Sequence, residues 1–255
     1  VFGKRILILA AHPDDEVVAC AAAIGRARQK GAEIFVFYLT NGCIARTALW
    51  PWQRKHYVAK VLRRFAEAEQ TARLLNVAPA GWSSRPARHL WRNLQAVFDE
   101  VKQTIATHGI DQIWVPAFEG GHADHDALNA VGKKLSAQVK VLEFAEYNFA
   151  NGKNNSHEFL DPNGTEQTIL LTREEQKKKH EALKTYASEQ QNLNYVKVER
   201  ECYRPLNAYD YTKPPHKGKL WYARFQWVPF RHPRVDFSKP ENVSKEIASF
   251  LAKDG

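Results

Sequence analysis

The sequence predicts an α/β fold: a doubly wound, mostly parallel sheet with helices on both faces, followed by a smaller C-terminal α+β extension. Three observations point there. An unbroken apolar run at residues 5–11, Arg-Ile-Leu-Ile-Leu-Ala-Ala, has the make-up of a central parallel strand, which is covered on both faces and needs no polar side. Comparable short runs at 33–40, 110–116 and 139–145 alternate with longer stretches whose apolar residues recur at helical spacing. Strands that alternate with helices in this way join as parallel neighbours through crossovers.

Element by element, the Ala-rich segment after Asp15 predicts a helix that ends at Lys30-Gly31, where glycine releases the chain for the strand at 33–40. Val58, Val61, Leu62, Phe65, Ala68, Ala72 and Leu75 share one helical face. Leu90, Leu94, Val97, Phe98, Val101 and Ile105 share another, and both faces are expected to cover the sheet. A further helix is expected over 124–136. The polar cluster Asn151-Gly-Lys-Asn-Asn-Ser156 marks a boundary, dividing the chain into a core of residues 1–150 and an extension of residues 151–255 that packs on the core and shapes a cleft. Within the extension, Thr172-Arg-Glu-Glu175 has the form of a capping box and predicts a helix through Tyr186. Residues 220–228 place Trp221, Ala223, Phe225 and Trp227 on one face, which is strand periodicity.

Composition narrows the function classes. With 255 residues, 44% hydrophobic and 25% charged, the chain buries a sizeable core, which excludes disordered, collagen-like and coiled-coil classes. The net charge of +9 favours anionic partners. Cys20, Cys43 and Cys202 are too few and too scattered for a disulfide framework or a four-cysteine metal cluster, and they suit a reducing cytoplasm. The apolar runs are too short to span a bilayer, so the expected protein is soluble and cytoplasmic, touching a membrane at most peripherally. Tyr203, Tyr209, Tyr211, Trp221 and Trp227 lie among basic residues as nucleic-acid stacking platforms do, but the strand alternation assigns them to packing, and no nucleic-acid partner is expected.

In an open parallel sheet the ligand sits beyond the carboxyl ends of the strands. After the first strand comes His12-Pro-Asp-Asp-Glu16, with no Gly-rich phosphate loop. After the strand at 110–116 comes Gly120-Gly-His-Ala-Asp-His-Asp126. Either cluster alone is ordinary, because acidic residues favour helix N-termini through the macrodipole. Two His/Asp clusters in one crevice are a coincidence that a plain surface does not require. Two imidazoles and one carboxylate suit a catalytic zinc, Zn2+, with an open position for water.

These residues resemble a known family. Ala11-His-Pro-Asp-Asp-Glu16, Arg64-Phe-Ala-Glu67 leading to Leu74-Leu75, and His122-Ala-Asp-His125 are similar to the motifs of the PIG-L/LmbE family of zinc-dependent N-deacetylases, over about the first 145 residues. The resemblance implies that residues 1–150 form a Rossmann-like catalytic core with a metal site. It further implies that His12, Asp15 and His125 bind zinc, and that Asp14 is the general base. His122 then stabilises the oxyanion or protonates the leaving amine, with Asp124 orienting it, and Arg64 binds substrate. Glu16 stays outside this set. Two departures stand out: Ala123 replaces a common proline, and no acidic residue occurs between Asn76 and Leu90, where relatives often carry a sugar-binding one.

The activity implied is removal of the acetyl group from an N-acetylglucosamine-type sugar in a glycoconjugate or sugar intermediate, anionic ones included. Two alternatives stand beside it: an amidase acting on another small amide, and a non-catalytic basic module that binds glycan or nucleic acid. Trp50 and Trp52, in the loop after the second strand, are placed either in the core or on a lid over the cleft.

Overall fold

The computed structural model describes residues 2–194 and 196–253. The chain runs β1 (Arg5–Ala10), α1 (Asp15–Gln29), β2 (Glu33–Tyr38), α2 (Pro51–Arg54), α3 (Tyr57–Leu75), β3 (Ala78–Trp82), α4 (Leu94–His108), β4 (Gln112–Pro116), α5 (Ala123–Leu135) and β5 (Lys140–Ala145). There follow β6 (Tyr147–Asn148), β7 (Asn155–Ser156), β8 (Gln167–Leu170), α6 (Arg173–Thr185), β9 (Arg200–Pro205) and α7 (Pro240–Ala252). The main sheet has the order β3-β2-β1-β4-β5-β9-β8. Its first five strands are parallel, while β9 pairs antiparallel with both β5 and β8.

Strand alternation divides the core into two layers. Leu7 and Leu9 face α4, α5 and α7 with Phe98, Leu128 and Phe250, whereas Ile6 and Ile8 face α1, α3 and α6 with Val17, Ala72 and Ala182. The sequence expectation of a parallel sheet covered on both sides is met in full. The chain winds from β1 outward through β2 to β3, then returns to place β4 on the other side of β1. The gap between the carboxyl ends of β1 and β4 is therefore the topological switch point, where such sheets open a crevice.

Beyond residue 150, β8 and β9 extend the same sheet, and α6 and α7 pack on opposite faces. The tie between α6, β9 and α1 is polar: Glu201 of β9 accepts from the backbone N–H groups of Ala22 and Ala23 and pairs with buried Lys179 at 3.0 Å. The capping box forms as expected, Thr172 Oγ1 accepting from Glu175 N–H and Glu175 Oε2 accepting from Thr172 N–H. All three cysteines are buried and unpaired.

Two expectations need correction. Residues 220–228 form successive turns rather than a strand, with Ala223, Arg224, Gln226 and Val228 each donating to the carbonyl three residues back. The buried side chains there are Leu220 and Tyr222, while Phe225 and Trp227 are exposed, because the turns fold the apparent alternation onto itself. The N-terminal half of the α3 face does not cover the sheet either. Val58 and Leu62 are exposed, and the helix buries Arg64, Glu67 and Thr71 instead, Arg64 reaching the crevice while Glu67 and Thr71 bond to Ser188 and Thr185 around the end of α6.

Candidate metal centre and active site

The turn after β1 delivers His12, Asp14 and Asp15, and the turn after β4 delivers His122, Asp124 and His125, so the two clusters meet at the switch point. Asp15 is anchored by one oxygen: its Oδ2 accepts the His12 N–H at 2.9 Å. Its Oδ1 stands 3.7 Å from His12 Nδ1 and 3.5 Å from His125 Nε2. These three ligand atoms lie within 4.8 Å of one another, the spacing of a shared metal ion. His12, His122 and Asp124 form a second such group through the common His12.

Hydrogen bonding assigns the tautomers. His12 Nε2 lies 3.2 Å from Asp124 Oδ2 and donates its proton there, which leaves Nδ1 as the atom turned toward Asp15. This carboxylate–imidazole arrangement orients a metal-binding histidine. Asp124 is held in turn by the N–H groups of Arg88 at 2.6 Å and Leu90 at 2.9 Å. Its carboxylate thus reaches His12, while His122 Nδ1 accepts the Asp124 backbone N–H at 3.0 Å. With Nδ1 accepting, the proton of neutral His122 sits on Nε2. Burial and then the neighbouring His12 charge hold His122 well below the usual imidazole range, so it stays neutral. Burial alone would lower His12, but Asp124 and Asp15 outweigh it and raise it to about 10. His125 Nε2 is buried with no hydrogen-bond partner among the described residues, and its Nδ1 stands 3.6 Å from Glu146.

Asp14 sits in a backbone conformation that L-residues rarely adopt, φ 131° and ψ −26°. Three contacts impose it. Glu16 Oε2 accepts the Asp14 N–H at 3.1 Å, Arg64 Nη2 donates to Asp14 Oδ2 at 3.1 Å, and the same Nη2 donates to the Pro13 carbonyl. Burial pushes the Asp14 carboxyl up to about 8, against the pull of Arg64. In Asp15 the burial effect is overcome by His125 and His12, which hold the carboxyl well below its usual range. Gly42, at φ +66°, lets the turn after β2 press on this cluster, since a Cβ there would lie 2.7 Å from Arg64 Nε and 2.9 Å from Pro13 Cδ.

Every predicted site residue lies in or beside this crevice. Arg64 is 1% exposed beneath Asp14 rather than on a helix surface. Trp52 is 65% exposed and stacks on Trp50 at 5.5 Å, so the pair is on the rim and not in the core. Sequence reasoning missed three contributors. Glu146 follows the carboxyl end of β5, so the strand-end rule would have found it. Glu189, 3.7 Å from Arg64 Nη1, and Tyr186, which donates to Glu16 Oε1 at 2.5 Å, come from around the end of α6 and carry no local motif.

The donor set fits zinc: two imidazole nitrogens and one carboxylate oxygen converge, and His12 is pre-oriented by its hydrogen bond to Asp124. Comparison with solved structures places the fold. A deacetylase from the teicoplanin biosynthesis pathway superposes with a TM-score of 0.64 at 18% identity, covering 81% of this chain and 99% of that one. The zinc-inhibited form of teicoplanin deacetylase gives 0.61 at 18% identity with the same coverage. N,N'-diacetylchitobiose deacetylase from Pyrococcus horikoshii gives 0.55 at 16% identity, covering 79% and 83%. Among curated proteins no sequence match is found. The family model PIG-L, described as GlcNAc-PI de-N-acetylase, matches residues 7–136, just over half of the chain. The chain belongs to the PIG-L family.

Proposed function

We propose that the protein is a zinc-dependent hydrolase that removes the acetyl group from an N-acetylglucosamine-type sugar in a glycoconjugate or sugar intermediate. The observation that carries this reading is the convergence of His12, Asp15 and His125 on one point, with Asp14 and His122 beside it. His12, Asp15 and His125 would hold a zinc ion, which would supply Lewis acidity to the acetyl carbonyl and to water. Asp14, raised by burial and steadied by Arg64, takes the proton of the attacking water and passes it toward the leaving amine. Neutral His122 turns its Nε2–H to the developing oxyanion. Asp124 keeps the His12 ring oriented, and Arg64 orients Asp14 from below.

Residues 151–255 wall the cleft in this reading, as Leu220 packed on Gly120 and the bonds from Arg88 to Pro233 and Val235 support. Three buried thiols support a reducing, cytoplasmic setting, and no helix among the described residues is long and apolar enough to cross a membrane. The test pairs metal content with acetate release. Purified protein is expected to carry about one zinc per chain, to lose activity on chelation and to regain it with zinc. Full turnover by metal-free protein would sink the mechanism, and release of a carboxylic acid from simple amides but not from acetylated sugars would favour the amidase.

A further inference from the structure

Of the large hydrophobic side chains exposed among the described residues, all but Leu74 and Leu170 fall in two segments of the chain. Trp52, Val58 and Leu62 belong to the loop after β2 and the start of α3, and Phe225, Trp227, Phe230 and Phe237 belong to the turns before α7. Trp52 and Phe230 are 65% and 57% exposed. Soluble chains keep such patches small unless a partner covers them.

The two segments are neighbours in space. Trp52 stacks on Trp50 at 5.5 Å, Trp50 meets His232 edge-on at 6.0 Å, and His232 meets Phe230 at 6.2 Å. This row of rings borders a cavity of about 540 Å3, whose lining takes Ala45, Thr47 and Ala48 from the first segment and Phe230, Arg231 and His232 from the second. Arg88 and His89 line the same cavity, and the Arg88 N–H holds the Asp124 carboxylate at 2.6 Å. The row therefore stands at the rim of the crevice that gathers the metal-site residues.

Charge marks the same segments. No Asp or Glu occurs from 34 to 66 or from 211 to 235, in a chain that carries 28 of them. Arg46, Arg54, Lys55, Arg231 and Arg234 are exposed and make no ion pair with an acid among the described residues. Arg54 Nε and Nη2 donate to the Leu49 and Thr47 carbonyls at 3.0 and 3.3 Å, which braces the loop without neutralising its charge.

The combination selects the occupant. A second copy of this chain would press two cationic faces together. A nucleic acid would suit the cations and the rings but has no use for Val58 and Leu62, one helical turn apart at the start of α3. An anionic lipid surface uses every part: tryptophan favours the membrane–water boundary, apolar side chains enter the acyl edge, and Lys and Arg meet the headgroups. No helix among the described residues is long and apolar enough to cross a membrane, so the contact is with the surface.

We propose that this rim is a docking face for an anionic lipid surface, in which Trp52 and Phe230 enter the interface while Arg54, Lys55 and Arg231 meet the headgroups. Docking there turns the mouth of the cavity toward the bilayer. The inference stands apart from the deacetylase reading, because it concerns where the chain settles and not what it cleaves.

Co-sedimentation tests it with two kinds of vesicle, one of phosphatidylcholine alone and one of equal parts phosphatidylcholine and phosphatidylglycerol. Wild-type protein is expected to bind the mixed vesicles about tenfold or more tighter than the neutral ones, and added salt should erode that preference. Trp52→Ala and Phe230→Ala should each weaken binding to mixed vesicles by about threefold to tenfold. Leu170→Ala, which removes an equally exposed apolar side chain on β8, should leave it unchanged. Failure to bind mixed vesicles, equal binding to both kinds, full binding by Trp52→Ala or by Phe230→Ala, or an equal loss in Leu170→Ala overturns the proposal. So does a lipid-free dimer, or DNA binding without vesicle binding, that Trp52→Ala abolishes. Should circular dichroism show one of the two rim variants unfolded, the other decides.

Discussion

The turns after β1 and β4 carry similar residues at equivalent places beside each other in the sheet, yet they are built in opposite ways. The backbone of the second is held chiefly from within. His122 is extended at φ −142° and caps α5 with its own ring, and Asp126 Oδ1 accepts the Gly120 N–H at 3.0 Å. The first is strained at Asp14 and held from outside, by Arg64 of α3, by Glu16 braced on Tyr186, and by the close approach of Gly42. Strain of this kind costs about 1–3 kcal/mol and persists only where the surroundings over-determine it. The difference teaches that the strained turn after β1 depends on distant residues, while the backbone of the turn after β4 is held chiefly by its own side chains.

The contrast predicts a ranking of effects. Asp14→Asn should keep zinc, because Asp14 is outside the converging ligand atoms, but lose about a hundredfold to ten-thousandfold in acetate release. Its rate should also lose the limb that rises with pH, since the base works only when deprotonated and burial raises the pH at which that occurs. Asp15→Ala should instead lose the metal itself. Metal titration and pH–rate profiles on both variants check this, and a metal-free Asp14→Asn protein would reverse the two carboxylates.

Next in size, His122→Ala should retain zinc and slow turnover by about a hundredfold to a thousandfold through loss of one oxyanion donor. Because that histidine also caps α5, thermal melting should register the lost cap at about 1 kcal/mol. Loss of zinc from this variant would exchange the roles of His122 and His125.

Gly42→Ala probes the outside support of the first turn. Its Cβ would collide with Arg64 and Pro13 at a positive φ, so stability should fall by about 1–3 kcal/mol and Tm by several degrees. Activity should fall with it as Arg64 is displaced from Asp14. An unchanged Tm would show that the turn after β2 yields, and that Asp14 is less dependent on it than the contacts imply.

The smallest effect is expected in the second turn. Ala123 is the first residue of α5 and follows an extended His122, the setting in which proline is tolerated. Ala123→Pro should leave activity in place and hold or raise stability by about 0.4–1 kcal/mol. A marked drop in Tm would mean that the fully buried position has no room for the ring, and that the second turn is as constrained as the first.

Much of the fold is legible in the sequence. Continuous apolar runs at β1, β2, β4 and β5 report burial on both faces, and that signal is local, so the parallel strands and their helix cover follow from it. The capping box at Thr172 was equally local. The short strand Ala78–Trp82, with its proline and glycine, the edge strand β8 and its antiparallel neighbour β9 carried no such signal, because pairing and not composition makes them strands. The turns at 220–228 mislead for the converse reason: alternation describes side chains, and without a paired backbone it does not make a strand.

The sequence by itself determined which residue types gather at the site, because motif residues lie next to the strand ends that carry them. Only the tertiary structure decided their relations: that Asp124 reaches His12, that Arg64 lies buried beneath Asp14, and that Glu146, Tyr186 and Glu189 join from other elements. Those relations depend on hydrogen-bond and ion-pair geometry over a few ångströms between segments far apart in the chain, and no local pattern encodes such a distance.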